Sequence, residues 1–132
     1  LKIIRIEGSL YFGAVNHVGE ALQGYADRFP GQKHLLLMSK SINFIDIAGA
    51  ELLAQEARNR QRMGGGLYFY GLRARAEEML TKPDYAGAFG KGRFFASKNQ
   101  AINEAVARLD PDICARCTVR TFEECKSRPG AA

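Results

Sequence analysis

The chain has 132 residues, enough for one domain of ordinary size and too few for two full ones. Hydrophobic residues make up 46% and charged residues 25%, a globular composition that excludes disordered, collagen-like and coiled-coil classes. Nineteen Lys and Arg against fourteen Asp and Glu leave a net charge of +5, within the ordinary solubility range, so charge alone selects no partner.

The excess is localised. Residues 1–55 carry five charges of each sign, residues 56–96 eight basic and four acidic, and residues 97–132 six and five. No apolar run approaches the roughly 20 residues that cross a bilayer; the longest aliphatic stretch is Leu35-Leu36-Leu37-Met38. No secretory signal pattern opens the chain. It starts at Leu1 and enters a strand-like segment at once, so it is expected to be a piece of a larger protein. Three cysteines, all in the last nineteen residues, do not form a disulfide framework and suit a reducing compartment.

In chain order, Ile4 and Ile6 alternate with Arg5 and Glu7 as in a half-buried strand, and Leu10-Tyr11-Phe12 reads as a second short strand after Gly8-Ser9. Val15, Val18, Leu22, Tyr25, Ala26 and Phe29 recur at spacings of three and four, an amphipathic helix that Pro30-Gly31 stops. Residues 33–38 form an aliphatic run suited to a strand covered on both faces. Phe44-Ile45-Asp46 follows at a turn. Residues 49–63 read as a helix with Ala50, Leu53, Ala54 and Ala57 inward and Glu51, Gln55, Arg58 and Arg62 outward, ended by Gly64-Gly65-Gly66.

Leu67-Tyr68-Phe69-Tyr70 is a further strand, residues 73–82 a short helix burying Ala76, Met79 and Leu80, and Phe94-Phe95-Ala96 an edge strand. Ser97 with Gln100 opens a last helix, whose stripe is Ala101, Ile102, Ala105, Val106 and Leu109. Residues 110–132 lack periodicity and are expected to be a loosely held, cysteine-containing tail. The alternation of strands and helices predicts an α/β domain: one mixed sheet of four to five strands packed with about four helices.

The order and spacing of three segments resemble the STAS family, named for sulfate transporters and anti-sigma-factor antagonists. They are Gly8-Ser9-Leu10-Tyr11-Phe12, the strand 33–38 leading into Phe44-Ile45-Asp46-Ile47-Ala48-Gly49, and Gly66-Leu67-Tyr68-Phe69-Tyr70-Gly71 after the next helix. The likeness covers residues 1–109. In the antagonist branch the loop reads Asp-x-Ser-Gly and a kinase phosphorylates the serine. Here it reads Asp46-Ile47-Ala48-Gly49, and alanine has no hydroxyl to accept a phosphoryl group. The SulP branch, in which the domain is the cytoplasmic C-terminal part of an anion transporter, often lacks that serine. The opening motif, the extra segment 83–93 and the tail look more like this branch.

The SulP resemblance implies a domain that neither transports nor catalyses and holds no cofactor. Implied partners are the transmembrane domain of the same parent chain, a second copy in a homodimer, and a regulatory protein or nucleotide, on the cytoplasmic side of the membrane. The alternative is a stand-alone antagonist-like protein-binding module.

Two readings attach to the loop itself. Its position at a helix start offers free backbone N–H groups to an anion or nucleotide through Gly49 and Ala50, while the Asp46 carboxylate can instead accept an N–H from residue 48 or 49 as a cap. Arg73 and Arg75, at the next helix start, would join an anion site if strand carboxyl ends share one edge; otherwise they are a solvated helix start. Arg58, Arg60 and Arg62 read as an exposed face, and His17 and His34 as surface residues. Cys114, Cys117 and Cys125 are weak metal candidates, since tetrahedral zinc wants four ligands, and otherwise thiols open to redox pairing. No phosphate-binding loop, nucleophile elbow or zinc-protease motif occurs, and the aromatic residues do not interleave with arginine as nucleic-acid surfaces require.

Overall fold

A computed structural model describes residues 1–10, 12–119 and 121–127. The elements run β1 (Lys2–Arg5), β2 (Gly8–Leu10), α1 (Phe12–Arg28), β3 (His34–Met38), β4 (Ile42–Ile45), α2 (Ile47–Arg62), β5 (Gly66–Tyr70), α3 (Ala74–Leu80), α4 (Pro83–Phe89), β6 (Phe94–Phe95), α5 (Lys98–Ala107) and α6 (Pro111–Arg116), with a 3-10 turn at Glu123–Ser127. Four strands pair in the order β1-β3-β5-β6, and β2 pairs with β4 beside them. Every pairing is parallel. Helices connect successive parallel strands because such strands need a crossover, and a helix supplies its length.

The α/β class is as expected, with three refinements. The sheet is parallel and split, so the described residues form six strands where four to five in one mixed sheet were expected. The second strand ends at Leu10, α1 begins at Phe12, and Tyr11 lies outside the described residues. Both β4 and α4 join the list: β4 hides from periodicity because Ile42 and Ile45 are buried while Asn43 and Phe44 between them are exposed. Its pairing with β2 shifts register between Gly8 and Leu10, as an irregular strand does. In α4, Pro83 is the first helical residue, where its missing N–H costs nothing.

The core has two layers because the central strands are covered on both faces. Leu35, Leu37, Leu67 and Phe69 pack against Ala50, Leu53, Ala54 and Ala57 of α2, Leu22 of α1, and Ala76, Leu80 and Phe89. Leu36 and Tyr68, the intervening residues, meet Ala101 and Ala105 of α5. Each fully buried leucine contributes about 1.5–3 kcal/mol by leaving water. Phe69 stacks on Phe94 at 5.1 Å and meets Phe89 edge-on at 5.6 Å, which fixes the edge strand against α4.

Two polar residues depart from expectation. Arg60 is buried rather than on the exposed face of α2: its Nε donates to Glu56 Oε1 at 2.8 Å and its Nη1 to the Gln32 carbonyl at 2.8 Å. His34 is also buried, because Tyr68 on the neighbouring strand supplies a partner. Beyond residue 109, α6 forms and the 3-10 turn packs against α5; residues 128–132 lie outside the described residues. Among the described residues no helix is long and apolar enough to cross a membrane.

Candidate functional site

The Asp46–Gly49 loop is built by contact with the end of β2. Asp46 is extended (φ −93°, ψ −174°) and its N–H donates to the Leu10 carbonyl at 3.1 Å. Its Oδ1 accepts the Gly49 N–H at 2.9 Å, and its own carbonyl accepts from Ala50 at 2.9 Å, starting α2. This is an N-cap, and the Gly49 amide that an anion would seek is already taken. Gly49 is buried, and a Cβ there would meet the Leu10 carbonyl oxygen at 2.6 Å, Leu10 Cγ at 3.0 Å and Ile45 Cγ2 at 3.1 Å. The loop is therefore clamped between two parallel strands with glycine as the fitted residue.

What the loop offers outward is apolar. Ile47 is 62% exposed and Phe44, two residues before Asp46, is 46% exposed. Ala48 is half-buried. Ile47 and Phe44 are two of six large hydrophobic side chains exposed among the described residues, and these two adjoin the loop in sequence.

The parallel order brings Arg73 to the same end of the sheet as this loop. Its Nε donates to the Lys40 carbonyl, just past β3, at 3.1 Å. The guanidinium thus ties the start of α3 to the β3–β4 connection, and Arg75 stands exposed on α3. Arg73 is engaged with backbone, and the structure gives no shared ligand geometry with Gly49 and Ala50.

The opposite end of the sheet holds features that the sequence did not single out. His34 Nδ1 and Tyr68 Oη lie 2.9 Å apart, with their rings stacked at 5.9 Å. Arg93 and Arg108 sit over the Tyr68 ring at 5.1 and 5.8 Å. Desolvation, then the positive field of surrounding groups that include Arg93, Lys33 and Arg60, lowers the His34 pKa to about 4, so this imidazole is neutral at physiological pH. Burial also pushes the Tyr68 hydroxyl above its ordinary value, against the opposing pull of Arg93 and Arg108.

A cavity of about 490 Å³ opens beside this pair, and Cys114, Cys117 and Cys125 all line it together with Leu109, Ile113 and Phe122. Among the described residues no group of three or more His, Cys, Asp or Glu side chains is arranged to hold a metal ion, so the three thiols share a cavity without forming a ligand set. The cue in the sequence was the cysteine spacing alone; the cavity depends on the tail folding back over the start of β3.

Comparison with known proteins fixes the family. The STAS domain model matches residues 1–101. The chain belongs to the STAS domain family. YvdB of Bacillus subtilis, which carries the name of a sulfate transporter, is 28% identical over 95 residues. That alignment takes in 72% of this chain but 18% of YvdB, so the chain spans less than a fifth of this relative. A sulfate transporter family protein from Wolinella succinogenes superposes with a TM-score of 0.67 at 24% identity, over 81% of this chain and 85% of the other. A Thermotoga maritima protein named as an anti-sigma factor antagonist superposes at 0.66 with 13% identity, over 79% and 86%. The STAS fold thus houses the Asp46–Gly49 loop in this chain, and the likeness to the two structures is one of fold.

Proposed function

We propose that this STAS domain is the non-catalytic regulatory and interaction domain of a SulP-type secondary anion transporter. It works on the cytoplasmic side of the membrane, against the transmembrane part of its own parent chain and as part of a homodimer. The parent transports sulfate or bicarbonate. The observation that carries this reading is the loop: it closes through Asp46 and Gly49, carries a methyl group at residue 48 and presents Ile47 and Phe44 outward. A phosphate switch needs a hydroxyl at that place. A constitutive apolar contact needs what is there, a rigid loop with exposed hydrophobic side chains. The relationship to a sulfate transporter of which the chain spans 18% supports the same view.

The test is the coding frame upstream of Leu1. The proposal expects on the order of ten apolar segments, each about 20 residues long. A start codon within a few residues of Leu1 would overturn it in favour of a stand-alone antagonist-like module. Within the parent, Ile47→Ser together with Phe44→Ser is expected to lower anion uptake while the protein still reaches the membrane; unchanged uptake would remove the loop from the contact. A nucleotide or sulfate role for Gly49, Ala50, Arg73 and Arg75 is tested by titrating GTP and sulfate while following amide shifts at residues 46–50 and 73–75. The Asp46 cap leads us to expect no saturable shift.

A further inference from the structure

Every cysteine of the chain opens on one cavity, although they come from two different elements: Cys114 in α6, Cys117 as its C-cap and Cys125 in the 3-10 turn. All three are thiols. Cys114 and Cys117 are also neighbours through the backbone, because the Cys117 N–H donates to the Cys114 carbonyl at 3.2 Å and closes a turn between them. Residues three apart on such a turn hold their Cβ atoms about 5–6 Å apart. A disulfide wants them roughly 3.5–4.5 Å apart.

The remaining ångström or so is available on the side of Cys117. Its backbone has left the helix (φ −74°, ψ 128°), so the residue turns without unwinding α6. Its thiol donates to the Val119 carbonyl at 2.9 Å, and an S–H donor bond is weak enough to exchange. Cys125 faces the same space but lies eight residues further on, in a separate turn where its N–H donates to the Phe122 carbonyl at 3.0 Å.

We propose that Cys114 and Cys117 are a reversible dithiol–disulfide pair that closes at the rim of this cavity, oxidised by a low-molecular-weight disulfide of the glutathione class. One thiolate attacks the oxidant's sulfur–sulfur bond, forming a mixed disulfide and releasing one small thiol. The second thiolate then attacks the protein-bound sulfur and releases the other small thiol. The pair gives up two electrons and two protons; the oxidant takes them up as two thiols. The new bond fastens the last turn of α6 to the segment that carries Val119, in the wall of the cavity. This assignment does not rest on the transporter reading, since the cavity lies at the other end of the sheet from the Asp46–Gly49 loop.

The experiment equilibrates the full chain in buffers of oxidised and reduced glutathione, quenches with acid, and maps the peptides by mass. Wild type and Cys125→Ser should both lose two hydrogens and carry a Cys114–Cys117 link, with links to Cys125 at least about tenfold rarer. Reduced glutathione in excess should reverse the change. Cys114→Ser should stop at a glutathione adduct. A dominant link to Cys125, stable adducts on wild type in place of an internal bond, or three thiols left unmodified would each overturn the proposal.

Discussion

The two ends of the parallel sheet solve different problems with similar materials. They are separated by the length of β3, five residues or about 16 Å. At the carboxyl end, polar groups are closed by short-range backbone bonds: Asp46 to Gly49, Asp46 N–H to Leu10, Arg73 to the Lys40 carbonyl. What faces outward there is Ile47 and Phe44. At the amino end, His34 and Tyr68 bond to each other in the interior, and a thiol-lined cavity opens under residues 109–125. The loop lies within the family-matched residues 1–101 and the tail outside them. The exposed loop side chains thus lie within the residues the family model matches, while the cavity is completed by residues beyond them.

The largest effect expected from this division is a pH dependence located at the amino end. Folding lowers the His34 pKa from its ordinary 6.5 to about 4, so the unfolded chain binds the proton more readily between those values. Stability contributed by neutral His34 is complete above pH 6.5 and is lost as pH falls toward 4. Each tenfold change in proton affinity is worth about 1.4 kcal/mol, and with part of the field screened by solvent the loss is on the order of 2 kcal/mol. Urea unfolding of wild type and His34→Gln at several pH values isolates it: the wild-type curve should fall more steeply below pH 6.5. Parallel curves would show that His34 protonates in place, and the amino end would then be as solvated as the carboxyl end.

Gly49→Ala should cost about 2 kcal/mol, because its methyl would sit 2.6 Å from the Leu10 carbonyl and backbone must move to admit it. The urea midpoint reads this directly, and an unchanged midpoint would mean that the two strands do not clamp the loop. At the other end, Tyr68→Phe removes the partner of a buried imidazole nitrogen and should cost about 1–2 kcal/mol. Asp46→Ala removes the cap and should cost about 1 kcal/mol.

How much of this was legible depended on whether a feature was local. The strands 34–38 and 66–70 and the inward stripe of α2 are visible as runs and spacings, since each needs only its own side chains. The Asp46 cap was legible for the same reason: an acidic residue three before a glycine at a helix start satisfies an amide within one turn. β4 was not, because its two buried isoleucines are set apart by two exposed residues and paired across a register shift. His34 and Arg60 were read as surface residues because their partners, Tyr68 and the Gln32 carbonyl, lie 34 and 28 residues away. The cavity was hidden most completely, since it exists only where the tail meets the start of the sheet.

The smallest effect is also the most discriminating for the carboxyl end. Ile47→Ser should change the unfolding free energy by no more than about 0.5 kcal/mol, because that side chain is 62% exposed before substitution. A side chain that costs so little to remove from the isolated domain has no structural reason to be hydrophobic. If it instead destabilised the domain by as much as Asp46→Ala, Ile47 would be part of the packing that holds the loop. The apolar face would then be a by-product of folding and not a surface kept for a partner.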